Sequence, residues 1–158
     1  MRLFTGVFPP DEVVEELTAA LAPVRAEHPG LRWTAPGRLH VTLRFHGDDA
    51  EPGDQLRAFH GLAAPTVRLA GSGTFRGVLW VGVEGPLEPL AEAAGADLDD
   101  WRPHLTVARA RGRRTRWPRV EFTGREWTVR EVVLVRSDPA TGYEVLDRVP
   151  LSTSNAPD

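Results

Sequence analysis

The same five-residue frame, apolar-His-apolar-Thr-apolar, occurs twice in this chain of 158 residues. It is Leu-His-Val-Thr-Leu at residues 39–43 and Pro-His-Leu-Thr-Val at residues 103–107. Because successive side chains of a β-strand point to opposite faces, each frame predicts a strand that buries its apolar side chains and presents an imidazole beside a hydroxyl on the other face. We therefore expect two half-buried strands with matching polar faces.

A similar order of elements precedes each of these strands. The first series is a strand, an amphipathic helix and a strand, expected at residues 2–8, 11–26 and 38–45. The second series is expected at residues 78–83, 86–96 and 105–108. Pro23 is expected to kink the first helix or to end it early. The order strand, helix, strand carrying His-x-Thr thus occurs twice, which indicates a weak internal symmetry.

The remaining segments favour an α+β fold with antiparallel sheets. Further strands are expected at residues 31–34, 67–69, 127–135 and 143–149, and a short helix at residues 55–63. Strands outnumber helices and no linker interrupts their order, which is typical of one α+β domain. We place that domain at residues 1–151 and expect the polar tail, residues 152–158, to be frayed.

The composition excludes several classes of chemistry. The chain has no Cys, which excludes a disulfide framework, a thiolate zinc site and a cysteine nucleophile. All 19 basic residues are Arg, so Schiff-base and lysyl-nucleotidyl chemistry are excluded, and with them an ATP-dependent ligase mechanism. A net charge of -3 argues against a general nucleic-acid coat, so any contact with RNA is expected to be local.

The apolar start of the chain is too short for a signal sequence or a membrane span. Residues 1–8 are followed at once by Pro9 and Pro10, which stop the run. We expect a cytoplasmic protein without membrane contact, and a monomer.

Two imidazoles and two hydroxyls suit the cleavage of a phosphodiester. If His40, Thr42, His104 and Thr106 surround one cavity, a neutral His can remove a proton from the attacking oxygen while a protonated His delivers one to the leaving oxygen. The Thr hydroxyls can donate hydrogen bonds to the non-bridging phosphate oxygens. These roles require no metal ion and no other cofactor. The alternative is that both histidines are half-buried strand residues without a chemical role.

Residues 33–47 (Trp-Thr-Ala-Pro-Gly-Arg-Leu-His-Val-Thr-Leu-Arg-Phe-His-Gly) and 102–109 (Arg-Pro-His-Leu-Thr-Val-Ala-Arg) carry a family resemblance. They resemble the two signature segments of the bacterial and archaeal RNA 2',3'-cyclic phosphodiesterases, also named 2'-5' RNA ligases, of the two-histidine (2H) phosphoesterase superfamily. Similar segments of that family fall at residues 2–4, 78–83 and 133–137, the last leading to Gly142-Tyr143. The resemblance thus extends over nearly the whole chain.

The resemblance implies a two-lobed α+β fold with pseudo-twofold symmetry, in which each lobe contributes one His-x-Thr strand to a central cleft. It also implies that His40 is the proton donor and His104 the proton acceptor, a distinction that spacing alone leaves open. The family hydrolyses a 2',3'-cyclic phosphate at an RNA end to a 2'-phosphate. The reverse reaction, with a 5'-hydroxyl, makes a 2'-5' linkage without ATP.

Other side chains are candidates for substrate contact. The resemblance places an Arg at Arg109, whose guanidinium can bind a phosphate in bidentate fashion once the strand has ended and freed the side chain. Phe8, near the end of the first strand, can stack on a base. His46, where the family more often has an apolar residue, shares the face of His40 by parity, either in the cleft or at a solvated strand end. The Arg-rich residues 109–119 are expected to form an exposed loop, either solvated or in contact with RNA.

Other functions stay open at this point. A member of the same superfamily can act on 2'-5' oligonucleotides or on a cyclic phosphate of ADP-ribose, with the same site chemistry. A non-catalytic RNA or nucleotide binder is disfavoured, because binding alone does not need two titrating groups. A metallohydrolase is also disfavoured, since no His-x-His or His-Glu-x-x-His spacing occurs. His28 and His60 are expected at the surface.

Overall fold

A computed structural model describes residues 1–111 and 115–153 of the chain. Within them the structure has two α-helices, nine β-strands and two short 3₁₀ turns, at Pro36–Arg38 and Arg57–Phe59. The helices are α1 (Asp11–Glu27) and α2 (Glu88–Ala94). The strands are β1 (Leu3–Val7), β2 (Arg32–Trp33), β3 (Val41–Gly47), β4 (Thr66–Phe75), β5 (Val78–Glu84), β6 (His104–Arg109), β7 (Trp127–Thr128), β8 (Glu131–Asp138) and β9 (Gly142–Pro150).

The strands form a curled antiparallel sheet with an internal twofold pattern. The strand order is β7-β4-β5-β6-β3-β1-β8-β9, and β2 pairs with β6. A twofold relation between β6 and β3 exchanges β5 with β1, β4 with β8 and β7 with β9. Each half contains the predicted series, β1-α1-β3 in one and β5-α2-β6 in the other. The predicted α+β class with antiparallel pairing and pseudo-twofold symmetry is therefore confirmed.

The two halves separate where the strands that carry the His-x-Thr motifs meet. In the described residues, β3 and β6 share one register pair, Val41 opposite Leu105. On the other side of β3, Gly6 of β1 lies where an added Cβ would be 2.8 Å from the Val41 carbonyl oxygen. Glycine is thus required there for the close approach of β1 and β3. The sheet is tight around Val41 and opens beyond it into a cleft.

The main core lies between the helices and one face of the sheet. On β1, Leu3 and Val7 point into it, and Val13 and Leu17 of α1 pack there with almost no exposed surface. The opposite face of β1 carries Phe4, which belongs to a separate buried cluster with Val133 and Val135. This second face is the one that leads to the cleft.

The first helix continues past Pro23, as the extent expected from its apolar pattern requires. Pro23 lies inside α1 on its exposed side, and the helix continues to Glu27. Proline removes one backbone donor and clashes with the preceding turn, but the buried face made by Val13, Leu17 and Leu21 anchors the helix before that point. Of the two expected effects of Pro23, a kink or an early end, the early end is therefore wrong.

Two predicted elements are divided or shortened. The strand expected at 127–135 is two strands, because the chain leaves the edge formed by β4 and β7 at Val129 and crosses to pair with β1 as β8. The backbone N–H of Val129 still donates to the Pro65 carbonyl on the β4 side. The helix expected at 55–63 is only the 3₁₀ turn Arg57–Phe59.

Hydrogen bonds to the domain extend slightly past the proposed boundary at residue 151. Ser152 was assigned to the frayed tail, but its N–H donates to the Leu62 carbonyl at 2.8 Å and its own carbonyl accepts from Ala64 at 3.0 Å. These two bonds fix it beside the core. Residues 154–158 of the predicted tail lie outside the described residues. Neither described helix is both long enough and apolar enough to cross a membrane.

Candidate active site

Each His-x-Thr motif is followed by a β-bulge at the same position. Thr5 and Gly6 of β1 pair with Arg44 and Thr42, which leaves Leu43 as an extra residue of β3. In the other half, Leu79 and Trp80 of β5 pair with Ala108 and Thr106, which leaves Val107 as an extra residue of β6. A bulge shifts the inside and outside alternation by one residue. The residues beyond each bulge are therefore on the face opposite to the one that simple parity predicts.

The antiparallel register brings the four motif side chains together. With Val41 opposite Leu105, His40 lies across from Thr106, and Thr42 lies across from His104. All four side chains line one cleft of about 520 Å³. The structure thus places the four predicted motif residues around one cavity, with the imidazoles on a diagonal. His40 itself immediately precedes β3, which begins at Val41 and not at residue 38.

Both imidazoles are held by the backbone in the same way. The Nδ1–H of His40 donates to the carbonyl of Arg38, and the Nδ1–H of His104 donates to the carbonyl of Arg102, each at 2.7 Å. A carbonyl oxygen can only accept a hydrogen bond, so Nδ1 carries a proton in both rings. Proton exchange with a bound molecule is therefore left to the two Nε2 atoms.

Aromatic rings enclose His40. Its ring stacks on Phe4 with centroids 4.5 Å apart and planes inclined by 20°, and Phe8 and Tyr143 each lie 5.5 Å away. Its Nε2 lies 3.0 Å from the Thr42 hydroxyl. Burial lowers the pKa of His40 below its ordinary value; the hydrogen bond to Arg38 opposes this, and the charges of His104 and Arg109 add to the lowering.

The surroundings of His104 are more open. Among the described residues, its aromatic neighbours are Phe75, whose edge-on ring is 5.2 Å away, and Trp80 at 6.5 Å. Phe75 is itself 44% exposed, whereas Phe4 behind His40 is 5% exposed. The same backbone arrangement thus holds one imidazole in an enclosed aromatic setting and the other at the rim.

Arginines line the end of the cleft nearest His40. Arg32, Arg38 and Arg109 contribute to its wall, and Arg109 lies opposite Arg32 in the register of β2 and β6. No ion pair with a carboxylate involves these three side chains in the described part of the chain. The remaining lining residues include Trp33, Thr34, Ala35 and Tyr143. This end of the cleft is cationic and suits a phosphorylated ligand.

The bulges explain where Arg109 and His46 lie. Arg109 was expected to be freed by the end of its strand. It is the last residue of β6, and the bulge at Val107 reverses the parity that would have kept it from the cleft. His46 was expected on the face of His40. Its Nε2 instead lies 2.7 Å from the hydroxyl of Thr5, which is fully buried on the helix side of β1. Burial, followed by the charge of Arg44, lowers the pKa of His46.

The aromatic candidate from the sequence lies behind the imidazole. Phe8 packs with Tyr143 and the buried cluster of Phe4, and it does not contribute to the cleft wall. Tyr143 and Trp33 do contribute, and sequence reasoning gave neither a role, although both belong to the resembling segments. Tyr143 also lies under the Arg38 guanidinium, 5.3 Å from its carbon.

The other histidines, and the described residues of the Arg-rich loop after Arg109, are not part of the cleft wall. His60 is exposed, and His28, half-buried, accepts the indole N–H of Trp33 at its carbonyl. Arg113 and Arg114 of the predicted loop lie outside the described residues. Across residues 1–111 and 115–153, no group of three or more His, Cys, Asp or Glu side chains has a geometry that could hold a metal ion.

Comparisons with known proteins identify the family of the chain. A family model described as LigT-like phosphoesterase matches residues 7–81. The chain is 34% identical to an RNA 2',3'-cyclic phosphodiesterase of Thermus thermophilus, over 96% of this chain and 90% of that protein. It is 30% identical to an enzyme of the same name from Methanothermobacter thermautotrophicus, over 68% of this chain and 74% of that protein.

Solved structures show the same fold. A crystal structure of a T. thermophilus protein matches with a TM-score of 0.72 and 31% identity, covering 98% of this chain and all of that one. Escherichia coli LigT in complex with 3'-AMP matches with a TM-score of 0.73 and 26% identity, covering 96% and 98% of the two chains. The chain therefore belongs to the family of LigT-like phosphoesterases, within the 2H superfamily that its paired motifs predict.

Proposed function

We propose that this protein hydrolyses the 2',3'-cyclic phosphate at the end of an RNA to a 2'-phosphate. The observation that carries the proposal is the pair of backbone-held imidazoles that face one cleft together with two Thr hydroxyls. The curated relatives named RNA 2',3'-cyclic phosphodiesterase support the choice of substrate.

In this mechanism His40 is the proton donor and His104 the proton acceptor. The Nε2 of neutral His104 takes a proton from a water molecule, whose oxygen attacks the phosphorus. The bond from phosphorus to O3' breaks on the opposite side, and the Nε2 of His40 gives its proton to O3'. The phosphate remains on O2'. Water supplies one proton and one hydroxide, so the atoms of the hydrolysis balance.

The hydroxyls and the cationic end position the phosphate. Thr42 and Thr106 face the same cavity and can donate to the non-bridging oxygens, where charge increases as phosphorus becomes five-coordinate. Arg109 can bind the same phosphate or the next one along the RNA. Phe8 supports the ring of His40 from behind, so a stacking role for an RNA base suits Tyr143 or Trp33 better.

The lowered pKa of His40 has a consequence for its role as the acid. Burial and the positive charges around it favour its neutral form when the cleft is empty. A bound phosphate diester adds a negative charge next to the ring, which opposes this effect and restores the proton. We infer that His40 gains its proton as the RNA end binds.

A product assay tests the function. RNA that ends in a 2',3'-cyclic phosphate is incubated with the protein in excess EDTA and without a nucleoside triphosphate. The expected product carries a phosphate that a 3'-phosphatase cannot remove. A predominantly 3'-phosphate product would mean that the ribose binds in the opposite sense and that the two His roles are exchanged. Activity lost in EDTA and restored by zinc or manganese would refute the metal-independent mechanism.

A further inference from the structure

The cleft continues past His104 into a second depression of different chemistry. This groove, of about 580 Å³, shares Thr42 and His104 with the cleft and is walled by Phe45, Phe75 and Trp101. Phe45 and Phe75 are 45% and 44% exposed, which is unusual for phenylalanine on the surface of a small domain. We call this depression the aromatic groove.

The internal symmetry relates one residue at each end of the cleft. Phe45 lies five residues after His40, and Arg109 lies five residues after His104, each two residues past the bulge of its strand. The two positions are therefore equivalent under the twofold relation. One end of the cleft has a guanidinium at that position, and the other has a phenyl ring that is 45% exposed and has the Arg2 guanidinium 4.5 Å from its centroid.

The two ends of the cleft also differ in charge: one is cationic, and the charges of the other nearly balance. The cationic end has Arg32, Arg38 and Arg109 without a carboxylate in its wall. The wall of the aromatic groove includes two arginines and two acids, Arg44, Arg102, Asp97 and Asp100. The guanidinium of Arg44 donates to the Ala94 carbonyl, and that of Arg102 donates to the Asp99 and Trp101 carbonyls. The groove thus offers stacking surfaces and little net positive charge for phosphates.

These features suit an uncharged molecule that reacts with the phosphoryl group. We propose that the aromatic groove binds a nucleoside with a free 5'-hydroxyl, whose base stacks on Phe45 and Phe75. The proposal rests on the proposed function, and it adds the site of the attacking alcohol. The groove opens beside His104, the proton acceptor, whereas the RNA end and its phosphates occupy the cationic end beside His40.

The chemical step balances without another reactant. The 5'-oxygen attacks the phosphorus of the cyclic phosphate, and its proton passes to the Nε2 of His104. The bond from phosphorus to O3' breaks, and O3' takes the proton of His40. The product has a 2'-5' linkage, and no nucleoside triphosphate is consumed. A 5'-phosphorylated acceptor lacks the attacking hydroxyl and also brings negative charge next to Asp97 and Asp100.

A competition between water and an alcohol tests the groove. The protein is given RNA with a 2',3'-cyclic phosphate and an oligonucleotide with a 5'-hydroxyl at one fixed concentration below saturation, and the ratio of 2'-5' joined product to hydrolysed product is measured. Both products arise from the same bound RNA end, so changes in the binding of that end cancel in the ratio. For Phe45→Ala, the ratio is expected to fall about tenfold, since one aromatic stacking partner is lost.

Matched reactions separate stacking from other effects. An acceptor whose 5'-terminal residue is abasic should lower the ratio in the wild-type protein by a similar factor, and Phe45→Ala should then have no further effect. Val145→Ala, which removes an equally exposed apolar side chain outside both ends of the cleft, should leave the ratio unchanged.

Two results would overturn the inference. The first is an unchanged ratio in Phe45→Ala and in the further variant Phe75→Leu. The second is hydrolysis by the wild-type protein with no joined product at any acceptor concentration. Neither result would refute the proposed hydrolysis of the cyclic phosphate. A wild-type protein that leaves the cyclic phosphate intact would instead refute the proposed function, and the inference with it.

Discussion

The two His-x-Thr strands, β3 and β6, hold their imidazoles alike but surround them differently. In both, Nδ1–H donates to the carbonyl two residues earlier at 2.7 Å, and a bulge follows the Thr. His40, however, stacks on a buried Phe4, while His104 meets the exposed Phe75 edge-on. The backbone therefore sets which nitrogen of each ring exchanges protons, whereas the side chains packed around His40 bury its ring and lower its pKa.

Removal of either imidazole is expected to have the largest effect. His40→Ala and His104→Ala should each lower the turnover of a 2',3'-cyclic RNA end by at least about a hundredfold, because a positioned acid or base contributes roughly 10²–10⁴. The measurement is kcat for each variant, with a circular dichroism melt to show that it is folded. His60→Ala, which removes an exposed imidazole outside the cleft, is the control and should keep full activity. A folded His40 or His104 variant with near-normal turnover would remove that residue from the mechanism.

Removal of the two Thr hydroxyls should affect kcat to different degrees, and only one removal should shift the pH profile. Thr42 contacts the Nε2 of His40 at 3.0 Å, so Thr42→Val should lower kcat by about tenfold to a hundredfold, as for a hydrogen bond to a charged group, and should also shift the pH profile. Thr106→Val should lower kcat by about tenfold, as for a single lost hydrogen bond, and should leave the pH profile unchanged. Equal pH shifts in the two variants would contradict this distinction between the strands.

A third and smaller effect is expected from the ring behind His40. Phe4→Leu should expose the imidazole to water and raise its pKa from the value that burial lowers. An acid works only while it is protonated, so activity is present below its pKa and is lost above it. The falling limb of kcat/KM, which reports the free enzyme, should therefore move to higher pH in Phe4→Leu. Phe75→Leu, at the other histidine, should leave that limb where it is.

The same falling limb distinguishes the empty cleft from the occupied one. The phosphate of a bound RNA opposes the lowering of the His40 pKa, so the limb should lie at higher pH in kcat than in kcat/KM. Coincident limbs would show that the RNA end does not change the charge state of His40.

Local patterns in the sequence were sufficient for much of the fold and for the four motif residues. The alternation of apolar and polar residues around His40 and His104 predicted two strands with one polar face each, and the order of elements around them predicted the internal symmetry. The family resemblance predicted the pseudo-twofold arrangement around a cleft. These features depend on residues that are neighbours along the chain or on matched segments, and both can be read directly.

The bulges at Leu43 and Val107 could not be read in this way. Both residues are apolar and continue the alternation of their strands, and each becomes an extra residue only through the register with β1 or β5. The positions of His46 and Arg109 follow from those bulges. The split of residues 127–135 into two strands could not be predicted for the same reason. The chain crosses there from β4 to β1, and only the tertiary structure defines these two partners.

The assignment of His40 as the acid and His104 as the base is tested most directly by a change in the leaving atom. In a cyclic substrate with sulfur in place of O3', the sulfur leaves as a thiolate and needs no proton from the enzyme. We expect this substrate to restore most of the lost turnover to His40→Ala and none to His104→Ala. Rescue of His104→Ala, with His40→Ala still inactive, would contradict it and would exchange the two roles.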